Sequence, residues 1–490
     1  MTAIRYIGEV PPPPPKPAWG RRLIFHGLLL VLALVGTYLG IEYHADWELR
    51  QALAEADQLD PGWRLEELEA SRAEVSAEQN AARMVLAVKE LIPDLWYAAG
   101  EDQPDSSHEM RFQINRVPPQ HQYTPEMVEF LHAGLERAKP ALVEARKLAN
   151  FPRGRYAVDW QPDYYSTALQ AINAHDIAEL LAWDIKVQSQ QGDFRAALHS
   201  LLAQLNAFRA SGDEPSFVSI LVRISGQGIV AWSLERILGK GEADAHDLEQ
   251  LQRLLLDEAN QDLLLLGARA DRAGCHHLFQ SLEAGKISDF SAADLASLES
   301  DKPSSLVKLS WHIPFVRKRQ RALILRLQNC FVEIAKLPEQ QQPAAMREWQ
   351  DQLPQEKNLA AVLLMTGLPQ VPFMGQRAQA RLRTTIAALA VERYRLDRGN
   401  WPDSLEVLCP CYLSSVPVDP FDFEPLRYRR VRDGVVIYSC GRDGADNGGV
   451  IPRQGLADDT GYDLGFQLWD VDQRRQPPLP PEPVPQDEPF

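Results

Sequence analysis

Residues 23–41 read LIFHGLLLVLALVGTYLGI, an apolar run of 19 residues without a formal charge. With a rise of about 1.5 Å per residue, a helix of this length matches the roughly 30 Å hydrocarbon core of a bilayer. A soluble helix of the same length normally carries a polar face, and this run has none. The sequence therefore predicts a transmembrane helix at residues 23–41.

The charges on either side of the apolar run predict its orientation. Arg21 and Arg22 precede the run, whereas Glu42 and Asp46 follow it. Lys and Arg beside a membrane helix are retained on the cytoplasmic side. We therefore expect a single-pass protein of the inner (cytoplasmic) membrane, with the Pro-rich residues 1–22 in the cytoplasm and the bulk of the chain outside it.

A cleaved signal peptide is the alternative interpretation of the same run. Signal peptides have apolar regions of about 7–15 residues, which are shorter than this one. A cleavage site after Ala45 would also require a small residue where the chain has Tyr43. An uncleaved anchor therefore fits the sequence better.

The net charge and the number of cysteines exclude some classes of partner and of fold. The chain has 490 residues and a net charge of −16, which argues against a nucleic-acid partner because phosphate binding requires clustered Lys and Arg. The five cysteines are too few for a disulfide framework, and their odd number leaves at least one unpaired. We expect buried free thiols, and a bridge from Cys440 to Cys409 or Cys411 stays open.

Residues 47–370 have the pattern of an almost wholly helical domain. In the segment 216–238, for example, apolar residues such as Phe217 and Ile220 recur at helical spacing, and Gly239 follows as a stop signal. Helical arrays present extended surfaces that mostly bind other proteins. We therefore expect a helical array or bundle outside the cytoplasm, with a protein partner.

The chain carries no recognised catalytic motif. The sequences Gly-x-Ser-x-Gly, His-Glu-x-x-His and Gly-x-x-x-x-Gly-Lys-Ser/Thr do not occur in it. The adjacent His175 and Asp176 lie in an otherwise apolar helix and offer a candidate acid–base pair. We predict a protein that is not an enzyme, with no small-molecule substrate identified. The alternative is an extracytoplasmic hydrolase that uses these two residues.

Residues 375–470 have a different pattern, that of a small α+β domain. The segment 376–398 has an apolar helical face and ends at Gly399. Two alternating segments flank Asp433-Gly434, which is a strong β-hairpin signal, and a last strand follows near the end of the domain. The predicted fold class is therefore mainly α, with one membrane helix and a small C-terminal α+β domain.

Several short motifs in this domain occur in a characteristic order. They are ERYRLDRGNWP at 392–402, YL at 412–413, VPVDPF at 416–421 and YSCGRDGADNGG at 438–449. In this order the motifs resemble the C-terminal domain of the major pseudopilin of type II secretion systems. The resemblance covers about a fifth of the chain, and it implies a pseudopilin-like domain on a secretion-related protein.

The chain departs from the pseudopilin pattern in two places. The family begins with a short leader and a phenylalanine-led apolar helix that bears a glutamate, and neither precedes residues 23–41 here. Over 300 residues also separate this helix from the C-terminal domain. We therefore interpret residues 375–470 as a pseudopilin-like domain attached to a helical, membrane-anchored protein and not as part of a filament subunit.

The resemblance also implies a calcium site, because the loop after the hairpin holds a calcium ion in that family. Hard oxygen ligands on a flexible backbone suit Ca²⁺, which takes about 6–8 oxygen ligands. The candidate ligands here are aspartates of a Gly-rich loop: Asp443, Asp446, Asp458, Asp459 and Asp463. A solvated acidic loop without a metal is the alternative.

The end of the chain completes the predicted organisation. Residues 476–490 contain seven prolines and predict a disordered tail. We expect a non-catalytic, membrane-anchored protein of the bacterial envelope. Its expected role is that of a protein-interaction or secretion-related scaffold.

Overall fold

The computed structural model describes residues 19–97, 104–164, 168–287, 313–352, 371–451 and 461–480. The described chain is mainly helical and has a small antiparallel sheet near its C-terminus, as the sequence predicts. The helices are α1 (Trp19–Leu59), α2 (Leu65–Ser71), α3 (Ala81–Leu91), α4 (Pro104–Arg116), α5 (Pro125–Arg137), α6 (Lys139–Arg146), α7 (Asn173–Gln191), α8 (Phe194–Arg209), α9 (Phe217–Lys240), α10 (Ala245–Ala259), α11 (Leu263–Glu283), α12 (Pro314–Ala335), α13 (Gln342–Gln352) and α14 (Val371–Arg398). The strands are β1 (Arg427–Val431), β2 (Gly434–Ser439) and β3 (Leu464–Trp469).

Helix α1 continues well beyond the predicted membrane segment. In its first half the apolar side chains are exposed, for example Ile24 at 70% and Leu34 at 61%, whereas Ala45 and Ala52 in its second half are buried. The helix is long and apolar enough to cross a membrane, which makes it a candidate anchor. Helix α9 also passes this test, but more than half of its apolar stretch is buried inside the protein, as in a core helix.

The second half of α1 packs along α12. Ala52 and Leu325 belong to one buried apolar cluster. Tyr38, near the end of the apolar run, packs edge-to-face against Phe315, with the two ring centres 6.0 Å apart. Lys318 then pairs with two acidic residues of α1 that follow the run. The body of the protein is therefore attached directly beside the end of the apolar run.

One apolar cluster joins the helices to the sheet. Its buried members extend from Ala81 in α3 to Leu468 in β3 and include Leu389 of α14. Helices α9 and α10 both pack on α14, which in turn packs on the sheet. The predicted domains 47–370 and 375–470 thus share a core, and the boundary between them stays a prediction.

The sheet has the order β1-β2-β3, and both neighbouring pairs are antiparallel. The turn between β1 and β2 falls at residues 432–433, so the predicted hairpin is confirmed. Helix α9 covers the outer edge of β3, where the Glu235 carboxylate accepts a hydrogen bond from the Gln467 backbone N–H at 3.0 Å. This contact satisfies an edge amide that would otherwise lack a partner.

The two predicted glycine stop signals behave differently. Gly399 ends α14 in the left-handed region (φ +77°), as predicted. The prediction for Gly239 is wrong, because α9 runs on to Lys240. A Cβ atom at Gly239 would lie 2.9 Å from the carbonyl carbon of Pro119. Glycine is therefore needed there for the close approach of a loop and not for termination.

The first residues of the predicted disordered segment 476–490 contact the body of the protein. The Gln476 backbone N–H donates to the Gln120 carbonyl at 2.8 Å, and its carbonyl accepts from the Gln122 N–H at 2.9 Å. His121 Nδ1 lies 2.7 Å from the Pro477 carbonyl oxygen. These bonds hold the start of the segment against the loop before α5.

Candidate functional site

Asp419 lies in the Pro-flanked segment before β1 and is completely buried. Its carboxylate accepts four hydrogen bonds. Two come from the backbone N–H groups of Phe421 (3.0 Å) and Cys440 (2.9 Å). The others come from the Ser439 hydroxyl (2.8 Å) and from Nη1 of Arg427 (2.9 Å). Asp419 therefore ties the segment before the sheet to β1 and to the end of β2.

Within the described residues, one group brings three potential metal ligands close together: Asp419, Asp422 and Cys440, with ligand atoms within 4.8 Å of one another. Arg427 already pairs with both carboxylates. Burial, together with the two carboxylates, raises the pKa of the Cys440 thiol to about 12. The Arg427 guanidinium supplies the positive charge that balances Asp419 and Asp422, so the geometry does not favour a metal ion in this cluster.

The acidic loop follows β2, and the structure describes three of its predicted ligands. Asp443 accepts from the backbone N–H groups of Ala445 and Gly461, each at 3.0 Å. Asp463 accepts from the backbone N–H groups of Asn447 at 3.1 Å and Gly449 at 2.7 Å. These carboxylates hold the two parts of the loop together.

Acidic side chains outnumber basic ones in the described part of the loop. Burial raises the pKa of Asp463, and the nearby negative charge of Asp446 adds to the rise. Asp446 is half exposed, and its Oδ2 atom lies 3.7 Å from Nε of Arg427. Asp458 and Asp459 lie outside the described residues. Among the described residues the ligand atoms of Asp443, Asp446 and Asp463 do not come together as a close three-ligand group, so the calcium site stays a prediction that would need Asp458 and Asp459 to complete it.

A cleft of about 600 Å³ lies beside the end of α14. Trp401 and Tyr428 supply aromatic surface, and Arg430 and Asp470 supply charge. The Trp401 indole N–H donates to Asp470 at 2.6 Å, and Arg430 donates to the same carboxylate at 3.0 Å. The Tyr428 hydroxyl donates to the Pro402 carbonyl at 2.8 Å. The walls of the cleft are thus held in place by their own hydrogen bonds.

The candidate acid–base pair is not assembled as a pair. Asp176 forms an ion pair with Lys89. His175 Nε2 lies 3.3 Å from the Ser225 hydroxyl, which donates to the Val222 carbonyl at 2.8 Å. Burial lowers the pKa of His175. The two predicted residues therefore have separate partners.

None of the five cysteines forms a disulfide; Cys275 and Cys440 are buried, and Cys330 and Cys411 are exposed. The bridge from Cys440 to Cys409 or Cys411 is not formed. Free thiols were the expectation for this chain, although only two of the five are buried. The cysteines therefore provide exposed positions for chemical labelling.

Comparison with known proteins adds no identification. No protein-family profile, no characterised protein and no solved structure matches this chain significantly. The class of protein therefore rests on the helical fold, the candidate anchor and the residues of the C-terminal region.

No known motif in the sequence marks the cluster around Asp419 as a site. Its signal is a lone aspartate between two prolines, with Asp422 shortly after it and Arg427 on the next strand. This pattern was visible only as part of the pseudopilin resemblance. Its partners Ser439 and Cys440 are about 20 residues away in sequence, and only the hairpin brings them close.

Proposed function

We propose that the chain is a non-catalytic, single-pass protein of the bacterial inner membrane whose extracytoplasmic body binds another protein of the envelope. In this proposal residues 1–22 lie in the cytoplasm, residues 23–41 cross the membrane, and the rest of the chain lies outside the cytoplasm. The similarity of residues 375–470 to the pseudopilin domain supports a role within or beside a secretion machinery.

The observation that carries this proposal is the continuity of α1. The exposed Leu34 and the buried Ala52 belong to the same helix. Insertion of the first half into a membrane would therefore fix the position and the tilt of the packed body. A rigidly held, mainly helical body is suited to presenting a binding surface at a constant distance from the bilayer.

The cleft lined by Trp401 and Tyr428 is the surface that we propose for the protein partner. Aromatic residues and arginine are enriched at the centres of protein interfaces. The cleft offers both, together with the carboxylate of Asp470. Its hydrogen-bonded walls would bind with little loss of conformational entropy.

Labelling followed by photo-crosslinking in intact cells tests the orientation and the partner site together. The full chain carries Asp403→Cys at the cleft, and its three non-buried thiols are replaced by serine. A membrane-impermeant maleimide–benzophenone reagent is then added, and the cells are irradiated. We expect the cysteine at position 403 to be labelled without permeabilisation of the cells. We also expect a crosslink to one envelope protein, and the yield of this crosslink should fall at least fivefold when Trp401→Ala is added.

The matched control carries Lys139→Cys, at a side chain of α6 that is 63% exposed. It should be labelled equally well but form no comparable crosslink. Labelling that appears only after permeabilisation would contradict the proposed orientation. Equal crosslinking at positions 139 and 403 would contradict the cleft as the partner site.

We also propose that the acidic loop binds calcium through Asp443, Asp446 and Asp463, with Asp458 and Asp459 as further ligands. Burial is the main cause of the raised pKa of Asp463, and the nearby negative charge of Asp446 adds to it; a bound cation would relieve that repulsion. Hard carboxylate oxygens would supply the charge that Ca²⁺ requires.

Titration of Ca²⁺ into the purified full chain tests the loop. At free Ca²⁺ of about 100 times Kd, binding should stabilise the folded protein by about 2.7 kcal/mol. The rise in Tm should disappear in Asp443→Asn and persist in Asp94→Asn, a control at an exposed aspartate. An unchanged Tm in the wild type, or an equal rise in Asp443→Asn, would reduce the loop to a solvated surface.

A further inference from the structure

Three cationic side chains converge where α7, α9 and the loop before α5 meet. The Lys240 ammonium lies 4.5 Å from the centre of the Tyr123 ring, and the Arg236 guanidinium carbon lies 5.4 Å from it. Lys240 also donates to Gln190 of α7 at 3.0 Å. Lys186 lies one turn before Gln190 on the same helix. We call Lys186, Arg236, Lys240 and Tyr123 the cationic cluster.

Several polar atoms of the cationic cluster lack a partner. Arg236 is 5% exposed and Tyr123 is 2% exposed. Nη2 of Arg236 donates to the Val117 carbonyl at 2.9 Å, whereas its Nη1 atom and the Tyr123 hydroxyl make no hydrogen bond of regular geometry among the described residues. The two groups are nevertheless close enough for Arg236 to offset part of the burial-driven rise in the pKa of Tyr123. In the described part of the chain, the Lys186 ammonium likewise makes no hydrogen bond or ion pair.

The neighbouring carboxylates do not balance these charges. Glu179 of α7 pairs with Arg111 of α4. The Glu235 carboxylate accepts a hydrogen bond from the Gln467 backbone N–H of β3, and burial raises the pKa of Glu235 to about 7. Arg475 adds a further cation, which donates to the Gln190 carbonyl at 2.9 Å. Among the described residues of this region, cationic side chains therefore outnumber carboxylates, although the protein as a whole carries a net charge of −16.

Enclosed positive charge without a counter-charge is unfavourable. Burial and the nearby Arg236 lower the pKa of Lys186 to about 7 and that of Lys240 to about 6. Water can satisfy the free N–H and O–H groups but cannot neutralise the charge, whereas an anion does both. Arg and Lys are also the side chains that recognise oxyanions through charge-assisted hydrogen bonds.

We propose that the cationic cluster is a binding site for a small oxyanion, either a phosphate group or a carboxylate group. Arg236 Nη1, the Tyr123 hydroxyl and the Lys186 ammonium would supply the hydrogen-bond donors. A bound anion would favour the protonated form of Lys240, which lies at the end of α9. The site is separate from the acidic loop and from the Trp401 cleft.

Calorimetric titration of inorganic phosphate into the purified full chain tests this site, at pH 7 and with KCl held constant. We expect a saturable heat near one phosphate per chain and a rise in Tm. Acetate is titrated in a second arm. Binding of phosphate alone identifies a phosphate-bearing ligand, and binding of acetate alone identifies a carboxylate-bearing one. The absence of heat with both anions would overturn the proposal.

Two variants link the heat to the cluster. Lys186→Met keeps the length of the side chain but removes the charge, so it should weaken anion binding at least tenfold. It should also raise Tm in the anion-free protein, because an uncompensated buried charge is lost. Lys139→Met, at an exposed site, should change neither property. Undiminished anion binding in Lys186→Met would contradict the assignment even where Tm rises as expected.

Discussion

Replacement of Glu392 by Ala should lower the free energy of unfolding by about 3–5 kcal/mol. Glu392 lies in α14 and is completely buried. Its carboxylate accepts hydrogen bonds from Arg395 at 2.8 and 3.0 Å and from both Nη atoms of Arg474 at 3.0 Å. The substitution would leave two nearly buried guanidinium groups without their shared counter-charge. It should therefore also release the C-terminal segment that Arg474 holds.

Chemical denaturation of the full chain, followed by tryptophan fluorescence, measures this loss. The matched control is Glu242→Ala, because Glu242 pairs with the same Arg395 at 2.6 Å but its side chain is 47% exposed. Exposed ion pairs contribute roughly 0–1 kcal/mol. A loss for Glu392→Ala as small as that for Glu242→Ala would show that the buried network is not a stabilising link.

The loss of stability in Glu392→Ala should also depend on pH. Burial raises the pKa of Glu392, but Arg395 and Arg474 lower it more, so the folded-state pKa lies below the ordinary value. The contribution of Glu392 is then complete above about pH 4.3, the pKa of an unperturbed glutamate. It is lost as the pH falls through the lower folded-state pKa. The difference between wild type and Glu392→Ala should accordingly shrink in acid.

Replacement of Asp419 by Ala should lower the free energy of unfolding by about 3–5 kcal/mol as well. The change would remove the acceptor of four hydrogen bonds and part of the counter-charge of Arg427. The buried N–H group of Cys440 would lose its partner at a cost of about 1–3 kcal/mol, and the partly buried N–H group of Phe421 would lose its partner as well. We expect the amides at the end of β2 to lose protection first.

Denaturation together with hydrogen exchange at residues 434–441 tests this prediction. Asp422→Ala is the control, since Asp422 pairs with the same Arg427 but its side chain is 26% exposed. Its effect should be about 1 kcal/mol and should leave exchange in β2 nearly unchanged. If the two variants were equally destabilised, Asp419 would not be the principal link between the Pro-flanked segment and the sheet.

Local patterns in the sequence predicted most of the elements. The hairpin at Asp433-Gly434 and the end of α14 at Gly399 are confirmed because each depends on a short backbone signal. The apolar run was recognised for the same reason. The prediction for Gly239 is wrong because a glycine that ends a helix and one that admits a neighbouring loop look alike in sequence.

The candidate sites were predicted less completely than the fold. The aspartates of the loop were found because they cluster in sequence, and the structure places Asp443, Asp446 and Asp463 on one loop system. The Asp419 cluster and the cationic cluster were not found. Their members are spread along the chain, for example Lys186 and Arg236 on different helices, and no spacing rule connects them.

The sequence by itself determined the candidate membrane helix, the helical character of the body and the hairpin near the C-terminus. These features follow from hydropathy and backbone preference over a few neighbouring residues. Only the tertiary structure decided that α1 runs on into the body, that the C-terminal region shares the helical core, and which charges become buried. Pairs such as Glu392–Arg474 join residues 82 positions apart, and their proximity depends on how the whole chain packs.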